Sequence, residues 1–280
     1  MTTTHLPPRE AAHWRAAPPG AVAGRLPITC IVLAQNSAPV LARCLGSLAF
    51  AGDVLVVDGG SHDDTAEIAR SLGARVVVNP WPGFAAQRRF ALQHTRHEWV
   101  FVCDSDEEVS PALASEIGRA LDSAMDGAAP RAYLVPRRSQ FLGAWMDVGP
   151  WADDRQLRLF RAGDARVTDA SVHEGIHVDG PVAALTSPLF HYTHTTLAGS
   201  IRRLNLYTTL EARDRVARRR IHAVDALFSP AGVFLKYYFV KGCWRAGMRG
   251  YLLACTTAIY KMVLYVKIRE LQMGRKTVRS

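Results

Sequence analysis

The chain has 280 residues, 49% of them apolar and 21% charged, with a formal net charge of +9. That is enough chain to bury a sizeable core, and it excludes a wholly disordered or collagen-like protein. The basic excess points to an anionic partner (nucleotide phosphates, nucleic acid or an acidic membrane surface) and is concentrated at Arg202–Arg220 and Lys236–Arg279.

Residues 1–26 are polar, rich in Pro, Ala and Arg, and without an apolar run, so they read as a disordered extension rather than a signal peptide. From Pro27 the pattern changes. "ITCIVLA" (Ile28–Ala34) predicts a buried strand, and Val40, Leu41, Cys44, Leu45 and Leu48 predict a helix over 37–50. "DVLVVD" (Asp53–Asp58) is a second strand. The helix after it has acids in its first turn and Gly73 at its C-terminal cap. "ARVVV" is a third strand, Gly83–Gln93 a helix, and "WVFVCD" (Trp99–Asp104) a fourth strand. Ser110-Pro111 then opens another helix as N-cap and first-turn proline. Such alternation predicts an α/β fold with a mostly parallel sheet covered on both sides, which binds ligands beyond the carboxyl ends of its strands. Gln35 and Asn36, Asp58, and Asp104 all stand at that edge.

Residues 131–190 carry shorter alternating runs, which predict antiparallel or mixed strands. From Thr196 the chain reads as helical, with Leu197, Ile201, Leu204 and Leu210 on one face. The longest apolar stretch, Tyr251–Val266, is shorter than the roughly 20 residues a bilayer span needs and is broken by Lys261. Its aromatics and interspersed cations suit helices lying on an anionic membrane surface. The five cysteines, Cys30, Cys44, Cys103, Cys243 and Cys255, show no CxxC spacing and read as reduced thiols in a cytoplasmic protein. No nucleic-acid motif is present, so no nucleic-acid partner is expected.

Asp104-Ser105-Asp106 carries the sharpest chemistry. On an extended backbone, residues i and i+2 point the same way, so two carboxylates can grip a hard divalent cation that neutralises a diphosphate. Glu107 and Glu108 read as complements to the positive end of the following helix. Arg158 and Arg161 bind phosphate or pair with acids. "HEGIH" (His173–His177) spells HExxH, but Val172, Ile176 and Val178 alternate as in a strand. There the histidines stand about 13 Å apart, too far for one zinc. His191 and His194 fall in a loop; His194 reads as a hydrogen-bonded loop residue.

"ITCIVLAQN", "VLVVDGGSHDDTAEIARSLGA", "WPGFAAQRRFAL" and "WVFVCDSDEEVSPAL" together resemble the inverting family-2 glycosyltransferases of the GT-A fold. "PRRSQFLGAWM", "GPWADDRQLRLFR", "SVHEG" and "LFHYTH" are similar to its lipopolysaccharide-core branch, including core β-1,4-glucosyltransferases. The resemblance implies a GT-A catalytic domain over 27–195, with a nucleotide-sugar half over 27–125 and an acceptor half over 126–195. A basic helical region over 196–280 follows. It implies transfer of a hexose, glucose from UDP-glucose, to a membrane glycolipid on the inner face of the bacterial cytoplasmic membrane. A polyprenyl phosphate or protein acceptor is the alternative. Asn36, Asp58, Gln87, Arg88, Asp104 and Arg158 match donor-binding positions. Asp104 and Asp106, with His191, match the site of a divalent metal (Mn2+ or Mg2+). Ser37 and Gln35 depart from the family's Glu and Lys. Asp154 and Glu174 stand as alternative general bases for the acceptor hydroxyl.

Overall fold

The computed structural model describes residues 24–123, 130–168, 175–194, 196–216 and 223–277. The N-terminal half alternates as expected: β1 (Leu26–Ala34), α1 (Ala38–Ser47), β2 (Ala51–Asp58), α2 (Thr65–Ser71), β3 (Arg75–Val78), α3 (Phe84–Leu92) and β4 (Trp99–Asp104). β1 is buried on both faces, and a parallel partner lies on each side of it, β2 and β4. One face packs Val32, Leu41, Leu45 and Ile117; the other packs Ile31, Leu33, Val57 and Val102. This two-sided cover is why these strands read as unbroken apolar runs.

After β5 (Glu107–Val109) and α4 (Pro111–Ser123), the sheet becomes mixed. It adds β6 (Ala132–Phe141), β7 (Ala144–Met146), β8 (Arg155–Arg161), β11 (Val182–Ala184) and β12 (Leu189–His194), while β9 (Ala165–Val167) and β10 (Ile176–Val178) form a separate ribbon. Ser110 caps α4, its hydroxyl accepting from Leu113 N at 3.1 Å. The main order is β3-β2-β1-β4-β8-β6-β12-β5. β4 and β5 are joined by Ser105 and Asp106 alone, yet β4 pairs with β1 and β8 whereas β5 pairs with β12. So short a link requires the sheet to curl until its far edge returns to the end of β4.

This corrects the expected geometry of Asp104 and Asp106. Asp104 ends β4 and Asp106 is the second residue of the two-residue turn that follows, so the pair does not lie on one extended strand. "HEGIH" is also clarified: Ile176–Val178 is a strand, and His177 pairs with Asp179 at 3.3 Å. His173 and Glu174 lie outside the described residues, as do residues 1–23.

Three helices follow: α5 (Leu197–Arg215), α6 (Ala223–Leu235) and α7 (Gly247–Thr277). The expected apolar stripe of α5 is not its buried side. Leu197 and Ile201 are exposed, whereas Ser200, Thr208, Glu211 and Ala212 are buried. The reason is α7, which presents Lys267 and Tyr260 to that face, and these need polar partners. α7 has 31 residues, so Tyr251–Val266 is only part of a helix long enough to span a bilayer.

The elbow between α6 and α7 docks on the sheet. Cys243 and Leu253 pack with Phe141 and Met146, and Gly149 N donates to Lys241 O at 2.9 Å. Gly149 has φ +70°, and an added Cβ would lie 2.6 Å from Cys243 Sγ. Gly149→Ala is therefore expected to lower stability by about 1–3 kcal/mol, read as a reduced denaturation midpoint.

Candidate active site

Two loops at the carboxyl ends of β1 and β2 are laced together. Asn36 adopts a left-handed backbone (φ 50°), and its Oδ1 accepts from His62 N at 2.9 Å, while its own N donates to Ser61 Oγ at 2.9 Å. Asp58 accepts from Ser61 N at 3.1 Å. Ser37 Oγ meets Ser105 Oγ at 3.1 Å, joining this rim to the Asp104–Asp106 turn. Gly59 lies under Trp81, whose ring would be 2.8 Å from an added Cβ. The expected donor residues Asn36 and Asp58 thus belong to a loop pair fixed before any ligand arrives.

The turn itself is held from below. Glu107 is fully buried; its Oε2 accepts from Asp104 N at 2.9 Å, and its Oε1 accepts from Arg158 at 2.6 Å and from Arg137 at 3.5 Å. Arg158 also donates to Asp104 Oδ2 at 2.7 Å. Arg137 continues the network by donating to Asp154 Oδ2 at 2.8 Å, and Gln156 donates to Asp154 Oδ1 at 2.6 Å. Asp106 meets His191 Nε2 at 3.5 Å and accepts from Arg203, on α5, at 3.1 Å. His191 Nδ1 in turn meets Ser139 Oγ at 3.0 Å.

Burial raises the Asp104 pKa, but Arg158, Arg88 and Arg137 outweigh it and hold the carboxyl well below the usual range. Burial also opposes ionisation of Asp106, yet hydrogen bonding and charge from His191, with Arg203, bring it down to about 2. For Glu107, burial wins and the pKa rises. The two lowered groups stabilise the fold above the ordinary carboxylate pKa, near 3.8, and lose that contribution as the pH falls through their folded values. The stability gap between the wild type and Asp106→Asn is accordingly expected to narrow between about pH 4 and about pH 2, measured by denaturant titration.

Of the expected residues, Asp104, Asp106, Arg88, Arg158 and His191 gather at this turn, and Asp154 joins them through Arg137. Gln87 is placed differently from a direct ligand contact: it is buried, and its amide bonds Asn79 Nδ2 at 2.8 Å and Asn79 O at 3.2 Å, so it fixes the β3–α3 loop. Arg161 pairs with Glu98 at 2.9 Å, away from the acids. The helix-complement reading of Glu107 and Glu108 is corrected. Glu107 is the buried hub of the turn, and Glu108 accepts from Tyr192 Oη at 2.7 Å. Sequence reading also missed Arg137 and Arg203. Arg137 lies in the matched "PRRSQF" stretch, whereas Arg203 looked like any surface arginine of a basic helix.

The residue types at the turn are ones that divalent cations take as ligands. Carboxylate oxygens and an imidazole converge at Asp106 and His191, with Asp104 across the turn. Among the described residues no three His, Cys, Asp or Glu side chains are grouped so as to hold a metal ion by themselves.

A profile described as glycosyl transferase family 2 matches residues 29–162. The lipopolysaccharide core biosynthesis glycosyltransferase LpsC of Rhizobium meliloti (strain 1021) is 32% identical over 254 residues, 88% of this chain and 93% of that protein. An uncharacterized glycosyltransferase of Rickettsia typhi is 26% identical over 262 residues, 90% of this chain and 89% of that one. Among solved structures, the mannosyltransferase PcManGT from Pyrobaculum calidifontis, in complex with GDP-Man and Mn2+, superposes with a TM-score of 0.51 at 18% identity over 88% of each chain. The fold is therefore of the GT-A kind. With LpsC 32% identical and matched over 93% of its length, and the family 2 profile matching residues 29–162, the chain belongs to glycosyl transferase family 2.

Proposed function

We propose that the enzyme transfers a hexose, glucose from UDP-glucose, to a lipopolysaccharide-core or other membrane glycolipid acceptor, with inversion in one displacement. The similarity to LpsC supports the acceptor class. The charge balance of the turn carries the donor reading. Asp104, Asp106, Glu107 and Asp154 stand against Arg88, Arg137, Arg158 and Arg203. So near-neutral a cluster accepts a nucleoside diphosphate best when a divalent cation comes with it. Asp104, Asp106 and His191 would hold Mn2+ or Mg2+, which supplies charge stabilisation at the leaving diphosphate.

The chain's own residues do the rest. Asn36 and Asp58 bind the nucleoside from the preformed rim. Arg88 and Arg158 stabilise the charge that develops on the departing diphosphate. Asp154 accepts the proton of the attacking hydroxyl, with Glu174 the alternative. Arg137 and Gln156 orient the Asp154 carboxylate. The lipid-borne acceptor places the enzyme on the inner face of the cytoplasmic membrane.

A donor screen tests this reading. UDP-glucose with Mn2+ or Mg2+ should support transfer, or slow hydrolysis, that EDTA removes. Asp154→Asn should lower kcat by about 10²–10⁴-fold with little change in donor KM. Full activity in EDTA would rule out the metal-assisted mechanism. An unchanged kcat in Asp154→Asn would transfer the base role to Glu174.

A further inference from the structure

One side of α7 is apolar and uncovered. Met248, Leu252, Ile259, Met262 and Val266 recur at helical spacing along it and are 72, 38, 47, 43 and 55% exposed. The elbow adds Phe239, Val240 and Trp244, also exposed. Between α6 and α7 an apolar groove of about 430 Å³ continues this surface, lined by Pro230, Phe234, Leu235, Cys255, Ala258 and Ile259. The charge around it has one sign. Lys236, Lys241, Arg245 and Arg249 are exposed at the elbow, and no acidic residue occurs between Phe228 and Arg269.

α7 is long enough to cross a bilayer, but its attachments oppose crossing. Its C-terminal half is tied to α5. Lys267 Nζ donates to Asn205 O, Asn205 Oδ1 and Thr209 Oγ1, each at 2.7 Å, and Tyr260 donates to Glu211. α5 carries Arg202, Arg203, Arg213, Asp214 and Arg215, and Arg203 reaches Asp106. The N-terminal half of α7 is packed on Phe141 and Met146 through Leu253 and Ala254. Threading α7 through lipid would draw α5's charges and the sheet's edge into hydrocarbon.

We propose that the elbow and the exposed stripe of α7 seat the enzyme in the surface of an anionic bilayer, with α7 lying along the membrane rather than crossing it. This rests on the reading of a membrane-borne acceptor. The seat holds α5, and with it the Arg203 side of the donor site, at a fixed height above the lipid.

Flotation of the full chain with sealed vesicles tests the proposal. The protein should float with phosphatidylcholine vesicles containing phosphatidylglycerol, and bind phosphatidylcholine alone at least about tenfold more weakly. Met248→Glu combined with Ile259→Glu, both at exposed positions, should abolish flotation and leave UDP binding intact by calorimetry. In a Cys255→Ser background, Lys241→Cys and Met273→Cys should both react with an impermeant maleimide added outside. Protection of one of these ends would mean that α7 crosses, and would overturn the proposal. So would a wild type that stays unbound to the anionic vesicles. Flotation without binding of any nucleotide sugar would instead overturn the catalytic reading and uphold the membrane seat.

Discussion

Asp106→Asn is expected to lower kcat by about 10²–10³-fold, a loss of roughly 3–4 kcal/mol of transition-state stabilisation. Asparagine keeps the size and the contact with Arg203 but removes the charge that attracts a divalent cation. The distinguishing observation is metal dependence. The wild type should lose activity in EDTA and recover it with Mn2+, whereas the residual activity of Asp106→Asn should respond to neither. Stability should fall far less than activity, because the Asp106 side chain keeps some solvent contact, at 16% exposure. A variant with normal kcat and normal metal response would remove Asp106 from the chemistry.

Arg158→Met is expected to act on the fold itself. Arg158 is buried on β8 and donates to both Asp104 and Glu107. Its removal leaves Glu107 buried with Arg137, at 3.5 Å, as its remaining arginine partner, beside the bond from Asp104 N. Breaking a buried pair from one side costs about 3–5 kcal/mol. Urea denaturation should report a loss of that size, and Arg158→Lys should recover part of it, since a lysine restores charge but not the forked contact. Combining Arg158→Met with Glu107→Gln should be less damaging than the sum of the two, because the stranded carboxylate is gone. Strict additivity would show that the two side chains do not act as a pair.

The sequence made the parallel half of the sheet legible because β1, β2 and β4 are covered on both faces, so their apolar runs admit few other readings. It also located Asn36, Asp58 and Asp104 at one sheet edge, since parallel strands joined by helices share a direction. The acids of the turn were visible, but their division of labour was not. Glu107 and Glu108 sit three and two positions before the N-cap Ser110, where an acid is commonly a solvated dipole partner. Only the curl of the sheet turns Glu107 inward onto Arg158 and Arg137 and gives Glu108 to Tyr192.

The same holds for the C-terminal helices. Periodicity put Leu197, Ile201, Leu204 and Leu210 on one face of α5, and the tertiary structure buried Ser200, Thr208 and Glu211, because the facing helix carries Lys267 and Tyr260. By itself the sequence determined the layers, the strand edge that holds the candidate site, and the presence of acids there, because these follow from local periodicity and strand direction. Only the tertiary structure decided which charges meet. Arg203 lies 97 residues from Asp106 in the chain, and a contact of that separation leaves no trace in local pattern.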